Sequence, residues 1–162
     1  MRPALRCTTI VAILALAGAC APSAPEADPR PSPEEMIAAA TALDSQYLDA
    51  FNREDADALM ATYWHSPRLV SIGLDGSAPQ GWEGASAAWH ESMDGNPDSR
   101  LEFVESHNVP LGEAVIGWGR WRLTTPSDSG PPEVLEGPYS DVKAFRDGRW
   151  VRVLDHASVP MP

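Results

Sequence analysis

The sequence predicts an α+β fold, in which helices come first along the chain and antiparallel strands follow. Apolar residues recur at helical spacing between Met36 and Phe51, and the period changes to two from about residue 69 onward. The turn-forming pairs Asp75-Gly76 and Asp147-Gly148 then separate later apolar stretches, as such pairs do between the strands of an antiparallel sheet.

The first helix is predicted to begin at a capping box. Ser32 supplies the N-cap hydroxyl, Pro33 occupies the first helical position, and Glu35 stands three residues after the serine. The residues that follow form an apolar stripe at helical spacing, namely Met36, Ile37, Ala40, Leu43, Tyr47, Leu48 and Phe51. The pattern therefore predicts an amphipathic helix with one face in the core.

A second, shorter helix is expected after Asp55, whose side chain can cap it. We expect that helix to carry Leu59, Met60, Tyr63 and Trp64, and Pro67 to stop it.

The remaining elements are mostly strands. The stretch from Leu69 to Leu74 predicts a strand, and the stretch from Ala85 to Met93 predicts a short third helix. Long strands are expected at about residues 99–109, 113–125 and 134–146, and a last one from Arg149 to Ser158.

The N-terminus indicates export and lipid anchoring. Residues 1–19 have the basic start, short apolar run and small-residue end of a signal peptide. Leu16 to Cys20 resembles the lipobox of bacterial lipoproteins, in which the cysteine becomes the lipidated first residue. An ordinary secreted protein with an incidental cysteine is the alternative. Residues 20–33 are proline-rich and predict an extended tether to a domain at residues 34–160.

The resemblance to lipoproteins implies a location in the cell envelope on the periplasmic side, with the membrane as partner through the lipid. In a bacterium with two membranes, Ala21 after the cysteine favours the outer membrane.

Composition and spacing exclude several function classes. The net charge is −11, with 23 acids against 12 bases, so the chain lacks the basic surface that nucleic acid requires. Two cysteines cannot build a four-thiolate zinc site. None of the four histidines, His65, His90, His107 and His156, has metal-ligand spacing to another. We expect no metal and no cofactor.

Three stretches of the domain together resemble a known family. They are Tyr47 to Tyr63, Gly81 to Trp89, and Asp147 to Ser158, which reads Asp-Gly-Arg-Trp at its start and His-Ala-Ser at its end. In their order and spacing they resemble the NTF2-like superfamily, in its SnoaL-like and DUF4440-type bacterial branch. The resemblance implies a cone, in which N-terminal helices pack in the concave side of a strongly bent antiparallel sheet around an apolar pocket.

Two glycines in the second long strand fit that expectation. Gly117 and Gly119 lie two residues apart and so share one face of the sheet. Their missing side chains would permit a bend or leave space beside the sheet. Relief of packing against a helix is the equally open alternative.

The pocket that the resemblance implies provides candidate site residues. We assign Trp64, Trp89 and Trp121 to its wall, although plain core positions are as consistent with the sequence. His107 is a second polar candidate, with a loop position before Asn108 favoured for it.

Asp155 and His156 are the candidate catalytic residues. Neighbours on a strand point to opposite faces, so the two side chains do not form a dyad. His156 could act as a general acid or base in a dry pocket. The favoured alternative is that His156 hydrogen-bonds the chain end to a nearby loop. The ketosteroid isomerases, which are relatives in this superfamily, carry a carboxylate base on the first strand after the second helix. Ile72 or Gly73 stands at the matching place here, so the resemblance does not support that mechanism.

Two functions follow from these candidates, and the fold alone does not choose between them. The first is an envelope lipoprotein whose domain binds a small apolar ligand or a partner protein, with no catalysis assigned. The alternative is an isomerase, hydratase or cyclase that uses His156 with Asp155 or His107. A homodimer is also expected, through a sheet face that carries Ile116, Trp118, Arg120 and Arg122.

Overall fold

The computed structural model describes residues 30–159. The predicted signal peptide, Cys20 and most of the tether lie outside the described residues. In chain order the described elements are α1 (Pro33–Asn52), α2 (Ala56–Met60), β1 (Val70–Ile72), α3 (Gly81–Gly95), β2 (Arg100–Leu111), β3 (Ala114–Thr125), β4 (Glu133–Arg146) and β5 (Arg149–Ala157). The α+β prediction, with helices preceding most strands, is confirmed.

The sheet has five strands in the order β1-β5-β4-β3-β2, and it is mixed. Strands β2 to β5 pair antiparallel with their chain neighbours, as predicted. One edge strand departs from the predicted antiparallel sheet, because β1 pairs parallel to β5, with Val70 opposite Leu154. Between those strands the chain passes through α3 and three further strands, which gives it the length that a parallel connection needs.

Helix α1 begins with the predicted capping box. The Ser32 hydroxyl accepts a hydrogen bond from the Glu35 amide, and the Glu35 carboxylate accepts one from the Ser32 amide. The buried face carries the predicted stripe and also a carboxylate, Asp44, which is only 5% exposed. A charged group on the core face of a helix requires partners in the interior.

Helix α2 is shorter than predicted. Asp55 caps it as expected, since its carboxylate accepts a hydrogen bond from the Ala58 amide. The helix ends at Met60, however, and the chain that follows pairs with β5. Its backbone exchanges hydrogen bonds with Arg152, which donates to the Thr62 carbonyl and accepts from the Trp64 amide. These bonds to the sheet replace those that a longer helix would make.

Helix α3 is longer than predicted at its start. It begins at Gly81, whose positive φ of 65° suits glycine. A Cβ on Gly81 would lie 2.8 Å from the Cα of Pro67, so the missing side chain also permits close packing.

Glycines and bulges shape the concave face of the sheet. A side chain on Gly119 would collide with the backbone carbonyl of Glu105, and one on Gly137 with that of Ser158. Register shifts between Phe103 and Glu105, and between Val142 and Lys143, mark bulges, which bend strands. Helix α1 packs against β2, β3 and β5 on this side. Within residues 30–159, no helix is both long and apolar enough to span a membrane.

Candidate functional site

A cavity of about 610 Å³ lies on the concave side of the sheet. Residues of α1, α3 and all five strands line it. Small-molecule sites typically enclose roughly 300–1,000 Å³. Six of the lining residues are aromatic, and we call them the aromatic wall: Tyr47, Phe51, Trp89, Phe103, Trp121 and Tyr139.

The rings of the aromatic wall pack on one another. Tyr47 stacks with Phe103 at a centroid distance of 6.1 Å, and Phe103 stacks with Tyr139 at 4.6 Å. Trp89 of α3 meets Tyr47 edge-on at 5.9 Å. Aromatic pairs in these arrangements hold each other in place. The wall therefore joins α1 and α3 to the sheet.

The polar atoms of Trp121 and Tyr139 in the wall bond to the protein itself. The indole nitrogen of Trp121 donates to the Pro138 carbonyl at 3.1 Å, and the Tyr139 hydroxyl donates to the Ser106 hydroxyl at 2.8 Å. Burial raises the pKa of Tyr139 to about 12, so that its hydroxyl stays neutral. These two rings thus contribute mainly apolar surface to the cavity.

Four buried charged residues meet below this wall, and we call them the ion cluster: Asp44, Asp141, Lys143 and Arg152. Each is at most 5% exposed. The Lys143 ammonium lies 2.9 Å from an oxygen of Asp44 and 2.8 Å from one of Asp141. The Arg152 guanidinium lies 2.6 Å from Asp44 and 3.4 Å from Asp141. Two positive and two negative charges therefore compensate each other.

Neighbouring groups complete the ion cluster. The Asn108 amide donates to Asp44 and accepts from Lys143, both at 3.0 Å. The guanidinium of Arg152 lies 4.3 Å above the Tyr47 ring, which adds a cation–π contact. Burial alone would lower the pKa of Arg152. The carboxylates of Asp141 and Asp44 outweigh that effect and raise the pKa above its ordinary value, so the side chain stays charged.

Gly117 makes room for the ion cluster. A Cβ there would contact the Asp141 carboxylate and would lie 2.6 Å from the Lys143 nitrogen. Of the roles that the sequence allowed for this glycine, the structure favours space beside the sheet. Among residues 30–159, no group of three His, Cys, Asp or Glu side chains is placed to hold a metal ion.

Asp155 is a fifth charged group of the interior, and it lines the cavity. The Tyr63 hydroxyl donates a hydrogen bond of 2.6 Å to one of its oxygens. Burial raises the pKa of Asp155 above its ordinary value, and the attraction of Arg152 and the Tyr63 hydrogen bond offset only part of that effect. Burial and the charge of Asp155 raise the pKa of Tyr63 well above its usual range. Tyr63 therefore serves as a neutral donor.

The structure brings three of the sequence-derived candidates to the cavity. Trp89 and Trp121 belong to the aromatic wall, and Asp155 lies among the lining residues. Trp64, His107 and His156 are not among the lining residues.

Each of those three has a different position. The Trp64 indole donates to Asp147, 3.1 Å away in the β4–β5 turn. His107 belongs to β2 rather than to a loop, and its ring stacks on Trp118 at 5.2 Å. His156 follows Asp155 on β5, so the alternation of the strand turns it to the opposite face.

Sequence reasoning missed the ion cluster and Tyr63 as site residues. Tyr139, Asp141 and Lys143 alternate along β4 and so share a face, which is a signal the sequence contains. Alternation does not say which face is inside, and charged residues usually face solvent. Asp44 within the apolar stripe of α1 was the second available signal.

The fold and its cavity define an α+β domain whose helices cover the concave side of a sheet around a site of small-molecule size. Residues 45–153 match the family model described as a SnoaL-like domain. This match covers more than half of the chain, and the protein therefore belongs to the SnoaL-like domain family within the NTF2-like superfamily. Among curated proteins, none matches this sequence.

Solved structures have the same fold. An NTF2-like protein of unknown function from Shewanella oneidensis MR-1 is 26% identical, with a TM-score of 0.65 over 75% of this chain and 97% of that one. An NTF2-like superfamily protein from Salmonella enterica serovar Typhimurium LT2 is 20% identical, with a TM-score of 0.71 over 80% and 94%. A Streptomyces avermitilis protein, provisionally described as an NTF2-like dehydratase, is 13% identical, with a TM-score of 0.71 over 80% and 100%.

Replacement of Lys143 tests the ion cluster. In Lys143→Met the carboxylates of Asp44 and Asp141 lose a buried counter-charge, so we expect the free energy of unfolding to fall by about 3–5 kcal/mol. The measurement is urea denaturation followed by tryptophan fluorescence. The control is Arg146→Met, an exposed position whose change should stay within about 0.5 kcal/mol. Equal effects of the two substitutions would contradict the role of the cluster.

Proposed function

We propose that this protein binds a small, largely apolar molecule in its cavity and does so as a lipid-anchored protein of the cell envelope. The observation that carries the binding function is the cavity of about 610 Å³ with six aromatic residues in its lining. The indole nitrogen of Trp121 and the hydroxyl of Tyr139 already bond to the protein, so those rings present apolar surface to a ligand. Burial of apolar ligand surface against such rings supplies affinity.

A substitution at the cavity edge tests this proposal. Ala88 on α3 lines the cavity and is itself exposed, so Ala88→Trp should narrow the entrance without disturbing the core. We expect one molecule of Nile red, a neutral apolar dye, to bind the unmodified chain. The substitution should weaken binding roughly tenfold, because about 1.4 kcal/mol of contact is lost or obstructed. Dye fluorescence measures the affinity.

Ala87→Trp is the matched control. Ala87 precedes Ala88 on the same helix and is also exposed, but it is not among the lining residues. This variant should bind the dye as the unmodified chain does. Absence of dye binding, or an equal loss in both variants, would refute binding in the cavity.

Acid–base catalysis at Asp155 is the second candidate function. Burial raises the pKa of this carboxyl group, and together with the neighbouring Tyr63 hydroxyl that suits a group that gives and takes a proton. Such a pair could serve an isomerase, hydratase or cyclase. His156 has a weaker case than Asp155, since it is not among the lining residues.

Two substitutions distinguish catalysis from binding alone. If the site is catalytic, Asp155→Asn should abolish conversion of the molecule that co-purifies with the chain, while the molecule still binds. His156→Ala should leave conversion unchanged. Native mass spectrometry identifies the molecule. Chromatography of the released molecule before and after incubation measures conversion, because isomerisation would leave its mass unchanged. Equal conversion by Asp155→Asn and the unmodified chain would eliminate this candidate.

The envelope location rests on Leu16 to Cys20, which resembles a lipobox. A lipid on Cys20 would hold the domain at the membrane surface, because each buried acyl methylene contributes about 0.8 kcal/mol. Mass spectrometry of the membrane fraction should find Cys20 as a lipid-modified N-terminal residue. Recovery of unmodified Cys20 in the soluble fraction would contradict the anchor.

A homodimer is the proposed partner arrangement, and the outer face of the sheet supports it. Strand registers place six apolar side chains together there, and we call them the outer patch: Val70, Val109, Ile116, Trp118, Val142 and Leu154. Trp118 is 43% exposed and Val109 is 46% exposed. Arg120 and Arg122, also expected at this interface, pair with Glu136 on the same face. The two arginines are therefore already paired within the chain, and the apolar residues of the outer patch are the surface that a second copy would cover.

Sedimentation of two variants tests the dimer. Trp118→Glu should shift the protein to monomer at micromolar concentration, because it places a charge in an apolar contact. Phe145→Glu changes another exposed aromatic residue outside the outer patch, and it should leave the dimer intact. An unmodified chain that sediments as a monomer would refute the arrangement.

A further inference from the structure

The charged side chains that line the cavity are mostly acidic. Five of them are carboxylates and one is a guanidinium. The carboxylates belong to Glu54, Asp75, Glu91, Asp141 and Asp155, and the guanidinium belongs to Arg152. Glu54, Asp75 and Glu91 are exposed. Arg100 lies 3.9 Å from Glu54, so Asp75 and Glu91 contribute most of the negative potential at the exposed part of the lining.

Below the wall, one carboxylate lacks a counter-charge of its own. The ion cluster already balances two acids with two bases. Asp155 is a third acid beside these two pairs of opposite charges. Among the described residues only the neutral Tyr63 hydroxyl donates a hydrogen bond to it. That bond engages Oδ2, and no other described residue donates a hydrogen bond to Oδ1. Asp155 is half-buried in the cavity lining, where a proton or a cation can compensate its charge.

The surroundings of Asp155 favour a cation over an anion as the bound group. Aromatic ring faces attract positive charge, and the aromatic wall lines the same cavity as Asp155. The single guanidinium of the lining, on Arg152, is already engaged by Asp44 and Asp141 and lies over the Tyr47 ring. An anionic ligand would have to displace these partners and pass the acidic residues of the entrance.

We propose that the bound molecule is an organic cation, with its ammonium group beside Asp155 Oδ1 and its apolar body against the aromatic wall. This inference rests on the proposed binding function and specifies its ligand class. Burial raises the pKa of Asp155, so any proton that this carboxyl group carries in the empty site passes to solvent when the cation binds, and the carboxylate remains as the counter-ion.

The affinity should depend on pH in one direction. Burial raises the pKa of Asp155, so this carboxyl group stays protonated to a higher pH than an ordinary aspartic acid. The proton then competes with the cation for the carboxylate. The affinity for a permanent cation should therefore rise with pH until Asp155 is fully ionised. The groups that face Asp155 are Tyr47 from α1, Tyr63 after α2, Asp141 and Lys143 from β4, and Arg152 from β5. Both tyrosines stay neutral and Arg152 stays charged while Asp155 ionises, because the pKa values of all three side chains are raised.

Three probes of similar shape test the ligand class on the purified full chain. They are benzyltrimethylammonium, its neutral isostere neopentylbenzene, and the anion phenylmethanesulfonate. Tryptophan fluorescence at pH 8 measures binding, since Trp89 and Trp121 line the cavity. We expect the cation to bind at least about tenfold more tightly than the neutral isostere and the anion to bind most weakly.

Two substitutions locate the effect at Asp155. Asp155→Asn keeps an acceptor for Tyr63 and should reduce affinity for the cation at least about tenfold, with the neutral isostere unaffected. Asp49→Asn is the control, because Asp49 is an exposed acid of α1 that is not among the lining residues. It should change neither affinity. If Asp155→Asn does not fold, the rise of cation affinity with pH in the unmodified chain carries the test.

The outcomes separate this inference from the function on which it rests. If the neutral isostere binds as tightly as the cation, or if cation affinity falls with rising pH, the cation proposal is overturned while binding in the cavity stands. If no probe binds, and Nile red does not bind either, the proposed binding function itself fails.

Discussion

The compensation of four buried charges is the constraint on which the rest of the structure depends. Asp44 comes from the first helix, whereas Asp141, Lys143 and Arg152 come from the last two long strands, more than ninety residues later. Buried charges are tolerated only when their partners are in place. The helix can therefore settle on the sheet in the one position in which Asp44 meets both bases. That requirement fixes the position of α1, which forms one side of the cavity.

The same constraint accounts for features around it. Gly117 leaves the volume that the Asp141 and Lys143 side chains occupy. The bulge between Val142 and Lys143 lies at the strand position from which Lys143 enters the cluster. The Arg152 backbone also bonds to the segment after α2, which brings Tyr63 to Asp155. The charged interior and the aromatic wall are thus two parts of one arrangement, and Asp155 stands where they meet.

Much of the fold follows from local sequence signals, and the site follows from them only in part. Ser32, Glu35 and the apolar stripe of α1 act locally, so the helix and its start were predictable. The end of α2 at Met60 was not, because backbone bonds to Arg152, far away in sequence, decide it. The parallel place of β1 likewise depends on a partner strand near the end of the chain. Trp89, Trp121 and Asp155 were found as candidates, whereas Asp44 and Lys143 look like surface residues until their partners are known.

The most direct test of this account uses the fact that Lys143 is the only lysine of the chain. Nitrogen-15 labelling of lysine gives one side-chain ammonium signal, which needs no assignment. We expect an ammonium that is hydrogen-bonded and protected from exchange with water, because Lys143 is 0% exposed between Asp44 and Asp141. A signal that exchanges with water as freely as that of a surface lysine would contradict the buried ion cluster, and with it the position of α1 on the sheet.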